Sequence, residues 1–251
     1  MIAALGMYDM PHAAQALDRF WNAIRAGLDT GPERLRRGGD PWEDWQSPDL
    51  LLAQTCGLPY RARLFDQVSL VGTPDYGLRD CPPGYYHSHI VRRAGDPRDL
   101  RELARAGTIA FNDPLSQSGW AAPVAHLAMQ GLRPGKARQT GAHRDSARAV
   151  LDGQADYAAI DAVSYLMWDR AEPGVFSGLE VFARTDPTPG LPLITARDRD
   201  PKPIAQAVGH AIDALSAPDR DILMIRGLVQ IPDATYRAIP IPPGPDQYGV
   251  T

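Results

Sequence analysis

The sequence predicts an α/β protein folded as two lobes with a ligand cleft between them. Three observations carry this reading. Short apolar runs of strand type alternate with helical segments of about ten residues, the rhythm of strands joined by crossover helices in mainly parallel sheets. Two such groups are connected by extended segments near residues 85–93 and 179–193, so the chain leaves a first lobe and later returns to it. Polar residues gather at predicted strand ends, the edge at which open α/β sheets bind ligands. The expected division is 1–88 with 186–251 in one lobe and 89–185 in the other.

Each element follows from local pattern. Ile2 to Met7 reads as a strand, with Tyr8-Asp9 at its end. From Pro11 to Ile24 the apolar residues Ala13, Ala16, Leu17, Phe20, Trp21 and Ile24 mark one buried face of a helix. Leu50 to Gln54 is a second strand, closed by the turn Cys56-Gly57-Leu58-Pro59, and Gln67 to Thr73 a third, ending at Pro74-Asp75-Tyr76-Gly77. Tyr85 to Arg93 is a fourth. Pro97 to Ala106 is helical, with Asp96 or Asp99 as N-cap. Thr108 to Phe111 is a strand, Ala121 to Met129 a helix ended by Gly131, and Asp145 to Leu151 a helix stopped by Asp152-Gly153. Tyr157 to Asp161 is a strand closed by an acid, Val163 to Asp169 a helix, and Leu179 to Arg184 a strand. A proline-rich crossing spans Thr185 to Pro192, and the last helix runs from Pro203 to Leu215, ending before Ala217-Pro218. Ile239 to Pro245 reads as an extended tail.

Composition narrows the function. The 251 residues are 44% hydrophobic and 22% charged, with a net charge of -4. That balance gives no general pull toward nucleic acid or an anionic membrane surface. No apolar run approaches the ~20 residues of a membrane helix. Met1 to Asp9 lacks the basic start and sustained apolar core of a signal peptide, so the expectation is a cytoplasmic chain as written, periplasmic if a leader was removed. Two cysteines, Cys56 and Cys81, fit neither a zinc ligand set nor CxxC redox spacing and leave a single bridge open. The six histidines show no HExxH spacing. GxGxxG after the first strand, GxxxxGK[ST] and GxSxG do not occur, so no metal, cofactor or covalent catalytic residue is expected.

The residues that point to chemistry lie where strands hand over to helices. Asn112-Asp113-Pro114-Leu115-Ser116-Gln117-Ser118-Gly119 joins an apolar strand to a helix, so hydroxyls and free helix N–H groups converge there on an oxyanion. Gly141-Ala142-His143 and Asp161 occupy two further strand ends. His143 suits an anion as a donor, and Asp161 suits a cationic or donating part of a ligand. Taken singly, Ser116 and Asp161 equally suit helix capping, and His143 an exposed loop. Ser118 has no evident base at a defined spacing. Tyr8, Trp45, Gln54, Tyr85, Tyr86 and His87 fall at strand ends or turns of the first lobe, where aromatics either line a wall or fill core. Glu43-Asp44 reads as a solvated patch.

In their order these pieces resemble the type II periplasmic-binding-protein superfamily, most closely the phosphate, phosphite and phosphonate substrate-binding proteins of ABC transporters. The pieces are Pro48 to Pro59, Gly84 to Ser88, Asp113 to Gly119, Gly141 to His143, and Gly153 to Asp156 leading into Ile160-Asp161; together they span most of residues 1–195. The resemblance implies a two-lobed, hinged fold and a solute-binding role toward a small oxyanion, with an ABC permease as partner. It implies that Ser116, Gln117 and Ser118 with Gly119 hold phosphonate oxygens, that His143 also contacts the oxyanion, and that Asp161 meets the amine of an aminophosphonate. Tyr86 or Tyr85, and more loosely Tyr8, would complete the ligand contacts. The alternative is a cytoplasmic enzyme on the same fold, similar to chorismate dehydratase, acting on a small carboxylate.

Overall fold

A computed structural model of the chain describes residues Met1–Tyr248. Its strands are β1 Ile2–Ala4, β2 Leu50–Gln54, β3 Val68–Asp75, β4 Tyr85–Tyr86, β5 Ser88–Arg93 and β6 Thr108–Phe111. They continue as β7 Lys136–Gln139, β8 Tyr157–Asp161, β9 Leu179–Arg184, β10 Thr188–Pro189, β11 Leu193–Ala196 and β12 Gly227–Val229. The chain divides into two compact units, the first from Met1 to Tyr85 and Pro189 to Ile239, the second from Tyr86 to Thr188 with the tail from Pro240. The short strands β4 and β10, which pair with each other, contain the first two crossing points.

In the first unit the sheet order is β1-β2-β11-β3-β12. Strand β1 is parallel to β2, whereas β11 runs antiparallel to β2 and β3, and β12 antiparallel to β3. All five residues of β2 are buried, as expected of a central strand covered on both faces. The helix Ala14–Leu28 buries Ala16, Leu17, Phe20, Trp21 and Ile24, as the sequence spacing predicts, and packs against the helix Pro201–Asp213. It stops at Asp29, whose φ of 51° is the left-handed conformation common at helix ends.

The second unit has the order β7-β6-β8-β5-β9. Strand β6 is parallel to both β7 and β8, while β5 lies antiparallel between β8 and β9. Alternation along the strands sends Ile90, Ile109, Phe111 and Tyr157 to one apolar layer and Val91, Ala110, Ala158 and Ile160 to the other. The helix Leu100–Ala106 begins with a capping box: Asp99 accepts from the Glu102 amide and Glu102 accepts from the Asp99 amide.

Several expectations are corrected. Both sheets are mixed rather than mainly parallel, because the strands that enter or return at the crossings run against the helix-connected ones; alternation of strand and helix carries no signal for them. The segment expected as one strand from Tyr85 to Arg93 is broken at His87. Strands β7 and β12 escape prediction because they are short and mostly not fully buried. Ala217-Pro218 opens a helix, Ala217–Leu223, instead of following one; Ser216 Oγ accepts from the Asp219 amide at 3.2 Å, and proline occupies the first turn, where no N–H is needed. Asp44 is not solvated but buried, 3.0 Å from Arg36. The bridge that the sequence left open between Cys56 and Cys81 is not formed.

The tail also departs from expectation. The sequence places all of 186–251 with the first lobe, yet the described residues 240–248 pack on the second unit. Trp120, 1% exposed, explains this: its indole N–H donates to the Pro243 carbonyl at 2.9 Å, and its ring meets Tyr248 edge-on at 5.7 Å. Trp120→Phe keeps an aromatic ring but strands the Pro243 carbonyl. We expect it to cost about 1–3 kcal/mol in urea unfolding, as for a buried polar group that loses its partner; an unchanged midpoint would show that the tail is not anchored there.

Candidate functional site

Parallel pairing lines up three strand ends in the second unit. Phe111 of β6 pairs with Gln139 of β7, and Ala110 of β6 with Ala158 of β8, so β6, β7 and β8 exit on one sheet edge. The exit loops are tied together. The Thr140 amide donates to the Phe111 carbonyl at 2.9 Å, and the Gly141 amide to the Asn112 carbonyl at 3.0 Å. Each loop then enters a helical segment: the π-type turn Gln117–Ala121 leading into Ala122–Met129, then His143–Leu151, then Ala162–Ala171. The first N–H groups of a helix have no partner in the helix, and its start carries about half a positive charge. Three such starts on one edge make a field suited to an anion without any cationic side chain.

The side chains form a connected set. Ser116 Oγ accepts from the Gly119 amide at 2.9 Å, which is the capping role, and this leaves its own hydroxyl proton to donate. Ser118 Oγ lies 2.9 Å from His143 Nε2. Ser88 Oγ donates to the Ser118 carbonyl at 2.9 Å, and Ser88 stands opposite Asp161 in the β5–β8 register. Asp161 caps its helix by accepting from the Ser164 amide at 2.9 Å. Gln117 reaches Thr188 Oγ1 at 3.4 Å. Gly119 is required for a steric reason, since a Cβ there would sit 2.0 Å from Asn112 Oδ1.

The structure thus brings Ser116, Gln117, Ser118, Gly119, His143 and Asp161 to one edge of the second unit. Tyr86 is buried in that unit beside His87, whose carbonyl accepts from the Ala162 amide at 3.1 Å. Sequence reasoning missed Ser88 as a member, because only the antiparallel β5–β8 pairing puts it there. It also missed that His143, 25 residues on, comes within hydrogen-bonding distance of Ser118 through the β6–β7 pairing. The residue keeps some exposure, but burial of its ring pushes the imidazole down to about 4, against an opposing pull from the Ala159 backbone. It is neutral at pH 7, as is buried His89 in β5, also pushed down to about 4 by burial, with His87 and Arg184 adding to it. When Nε2 carries the proton, the ring donates to Ser118 and frees the serine hydroxyl for a ligand oxygen.

Tyr8 and Tyr85 belong to the first unit. Tyr8 follows β1 in the turn Gly6–Tyr8, buried edge-on against Tyr76 at 4.9 Å. Tyr85 packs beside the core of Tyr60 and Tyr236. Gln54, at the end of β2, donates to Tyr76 Oη at 3.0 Å, and the Trp45 indole donates to the Gln54 carbonyl at 3.1 Å. Among the described residues no group of three or more His, Cys, Asp or Glu is placed to hold a metal ion.

Two outcomes follow from this geometry. Gly119→Ala should cost about 1–3 kcal/mol by overpacking against Asn112, read by urea unfolding; a neutral result would mean that Asn112 moves aside freely. Both histidines bind their proton more weakly folded than unfolded, so the unfolded chain takes up more protons between about 6.5 and the folded value of about 4. Stability should therefore fall as pH drops through that window, and His143→Gln should flatten the fall; identical slopes for both proteins would exclude this linkage.

Comparison with known proteins places this architecture. Residues 52–234 match the family model described as ABC transporter, phosphonate, periplasmic substrate-binding protein. PhnD1 from Prochlorococcus marinus (MIT 9301), solved in complex with methylphosphonate, is similar at a TM-score of 0.73 and 17% identity, over 95% of this chain and 94% of that one. PA3383 from Pseudomonas aeruginosa, a binding protein component of an ABC phosphonate transporter, is similar at 0.66 and 14%, over 91% and 80% of the two chains. XAC2383 from Xanthomonas citri, bound to chloride, is similar at 0.68 and 14%, over 95% and 93%. No curated protein matches in sequence. At these identities the solved structures establish the two-lobed periplasmic-binding fold, and the family model covers most of the chain. The chain belongs to the family of periplasmic substrate-binding proteins of phosphonate ABC transporters.

Proposed function

We propose that the protein binds a small phosphonate- or phosphate-type oxyanion without transforming it and delivers it to an ABC permease, with the periplasm as its place of work. The observation that carries this reading is the edge where three helix starts meet the Ser88–Ser118–His143 set. Such an edge offers several N–H and O–H donors to tetrahedral oxygens. Asp161 adds an acceptor for the amine of an aminophosphonate, and Tyr86, Tyr85 and Tyr8 are proposed to complete the ligand contacts. The methylphosphonate complex of PhnD1 supports the ligand class. No helix among the described residues is long and apolar enough to cross a membrane.

The Ser118–His143 distance of 2.9 Å is also that of a nucleophile and its base, which favours an enzyme as second reading. An imidazole held near 4 is a weak base at neutral pH. The pair suits sharing one proton with a bound anion better than activating a hydroxyl.

The test is thermal stabilisation by methylphosphonate. A ligand at a hundred times its Kd adds about 2.7 kcal/mol of stability. Ser116→Ala combined with Ser118→Ala should lose most of that gain while the unliganded protein melts as a folded domain. An undiminished shift would sink the site assignment, and turnover of a small carboxylate would overturn the binding reading.

A further inference from the structure

The first unit contains a cavity of about 390 Å³ that the family reading leaves unexplained. Its floor is the exit of β1 (Ala4, Met7) and the end of β2 (Gln54). This is the strand-end edge at which α/β sheets present ligands. Its wall is the run Arg36-Arg37-Gly38-Gly39. The Arg36 amide donates to the Ala3 carbonyl at 2.8 Å and pins the run against β1.

Counting donors and acceptors decides what this cavity wants. Arg37 is spent: it bonds Asp9 and the Ala14 carbonyl and lies 2.8 Å from Asp18. Arg36 is not. One of its terminal nitrogens lies 3.0 Å from Asp44, an ion pair rather than an aligned hydrogen bond, and the other comes no nearer than 3.8 Å to Glu43. Its Nε has no acceptor among the described residues. Gly38 and Gly39 follow with φ of 77° and 83°, and their amides likewise have none. A Cβ at Gly38 would meet nothing within 4 Å, so this part of the run faces open space. Of the carboxylates that line the cavity, Asp9 bonds Arg37, and Asp44 Oδ1 faces Arg36 at 3.0 Å without an aligned hydrogen bond, so the unused capacity is mainly of donors.

We propose that this cavity is a second oxyanion site, which takes a carboxylate or phosphoryl group on the outer edge of Arg36 and the amides of Gly38 and Gly39. Buried Asp44 holds the guanidinium from behind and leaves its Nε edge for two parallel hydrogen bonds to the anion. Main-chain N–H groups in a turn add donors to an anion site of this kind. The site needs no residue of the second unit, so it stands whether or not phosphonates bind there.

Isothermal titration of the full chain with methylphosphonate, inorganic phosphate and propionate tests this, on the wild type, Arg36→Lys, and the Ser116→Ala, Ser118→Ala double variant. Lysine keeps the charge that Asp44 requires but lacks the fork. With methylphosphonate saturating, the wild type should still bind phosphate or propionate, and which of the two binds tighter tells a phosphoryl from a carboxylate site. Arg36→Lys should weaken that event at least tenfold, leave methylphosphonate affinity unchanged and melt near the wild type. The double serine variant should retain it. No second event with either anion, an unweakened event in Arg36→Lys, or an equal loss of methylphosphonate affinity in that variant would each overturn the proposal. Failure of methylphosphonate to bind the wild type would instead count against the site in the second unit.

Discussion

The parallel alignment of β7, β6 and β8 is the constraint on which the candidate site depends. Residues distant in sequence become neighbours only because these strands exit on the same edge, with Phe111 level with Gln139 in the register. A parallel strand must be followed by a crossover, so each exit is also the start of a helical segment. The three positive helix ends therefore arise from the same geometry that builds the apolar core. A change that shifted the register by one residue would turn Ile109 and Phe111 out of their layer and scatter the exit loops together.

The two proposed anion sites rest on different chemistry. The described contacts of the second unit's edge are made by hydroxyls, amides and a neutral imidazole, with Asp161 as the acid among them. Such donors act over short distances and are aimed by backbone geometry, which favours shape over charge. At the cavity proposed in the first unit the donor would be Arg36, with buried Asp44 3.0 Å from it. The cost of burying Asp44 appears as an acid pushed above its ordinary value by desolvation, with Arg36 pulling it back. Trp120 links the anion turn to the rest of its unit, since the residue that follows Gly119 is also the anchor of the tail.

Legibility varied with the kind of signal. The helix Ala14–Leu28 was readable because burial imposes a period on its side chains, and strands β2, β6 and β8 because burial on both faces makes them short continuous apolar runs. Ser116 and Asp161 were readable as caps and as site residues alike, and the structure makes them caps that lie at the edge of the candidate site. The neighbouring residues Ser118 and His143 were readable as polar residues at strand ends, but their hydrogen bond was not, since spacing along the chain says nothing about register between β6 and β7. Asp44 looked like surface because acidic pairs usually are; its partner Arg36 precedes it on an irregular segment that has no period to read. The doubled glycine after doubled arginine was the available signal for that wall.

By itself, then, the sequence determined the α/β class, the two-lobed periplasmic-binding fold, the family, and which strand ends carry polar chemistry. These depend on local pattern and on ordered motifs, both of which survive in one dimension. Tertiary structure decided the mixed direction of the sheets, the return of the tail to the second unit, the pairing of Ser118 with His143 and Ser88, and the burial of Asp44 beneath Arg36. Each of these is a tertiary contact that no local sequence pattern encodes. Its energy comes from register, desolvation and packing, which exist only after the strands have met.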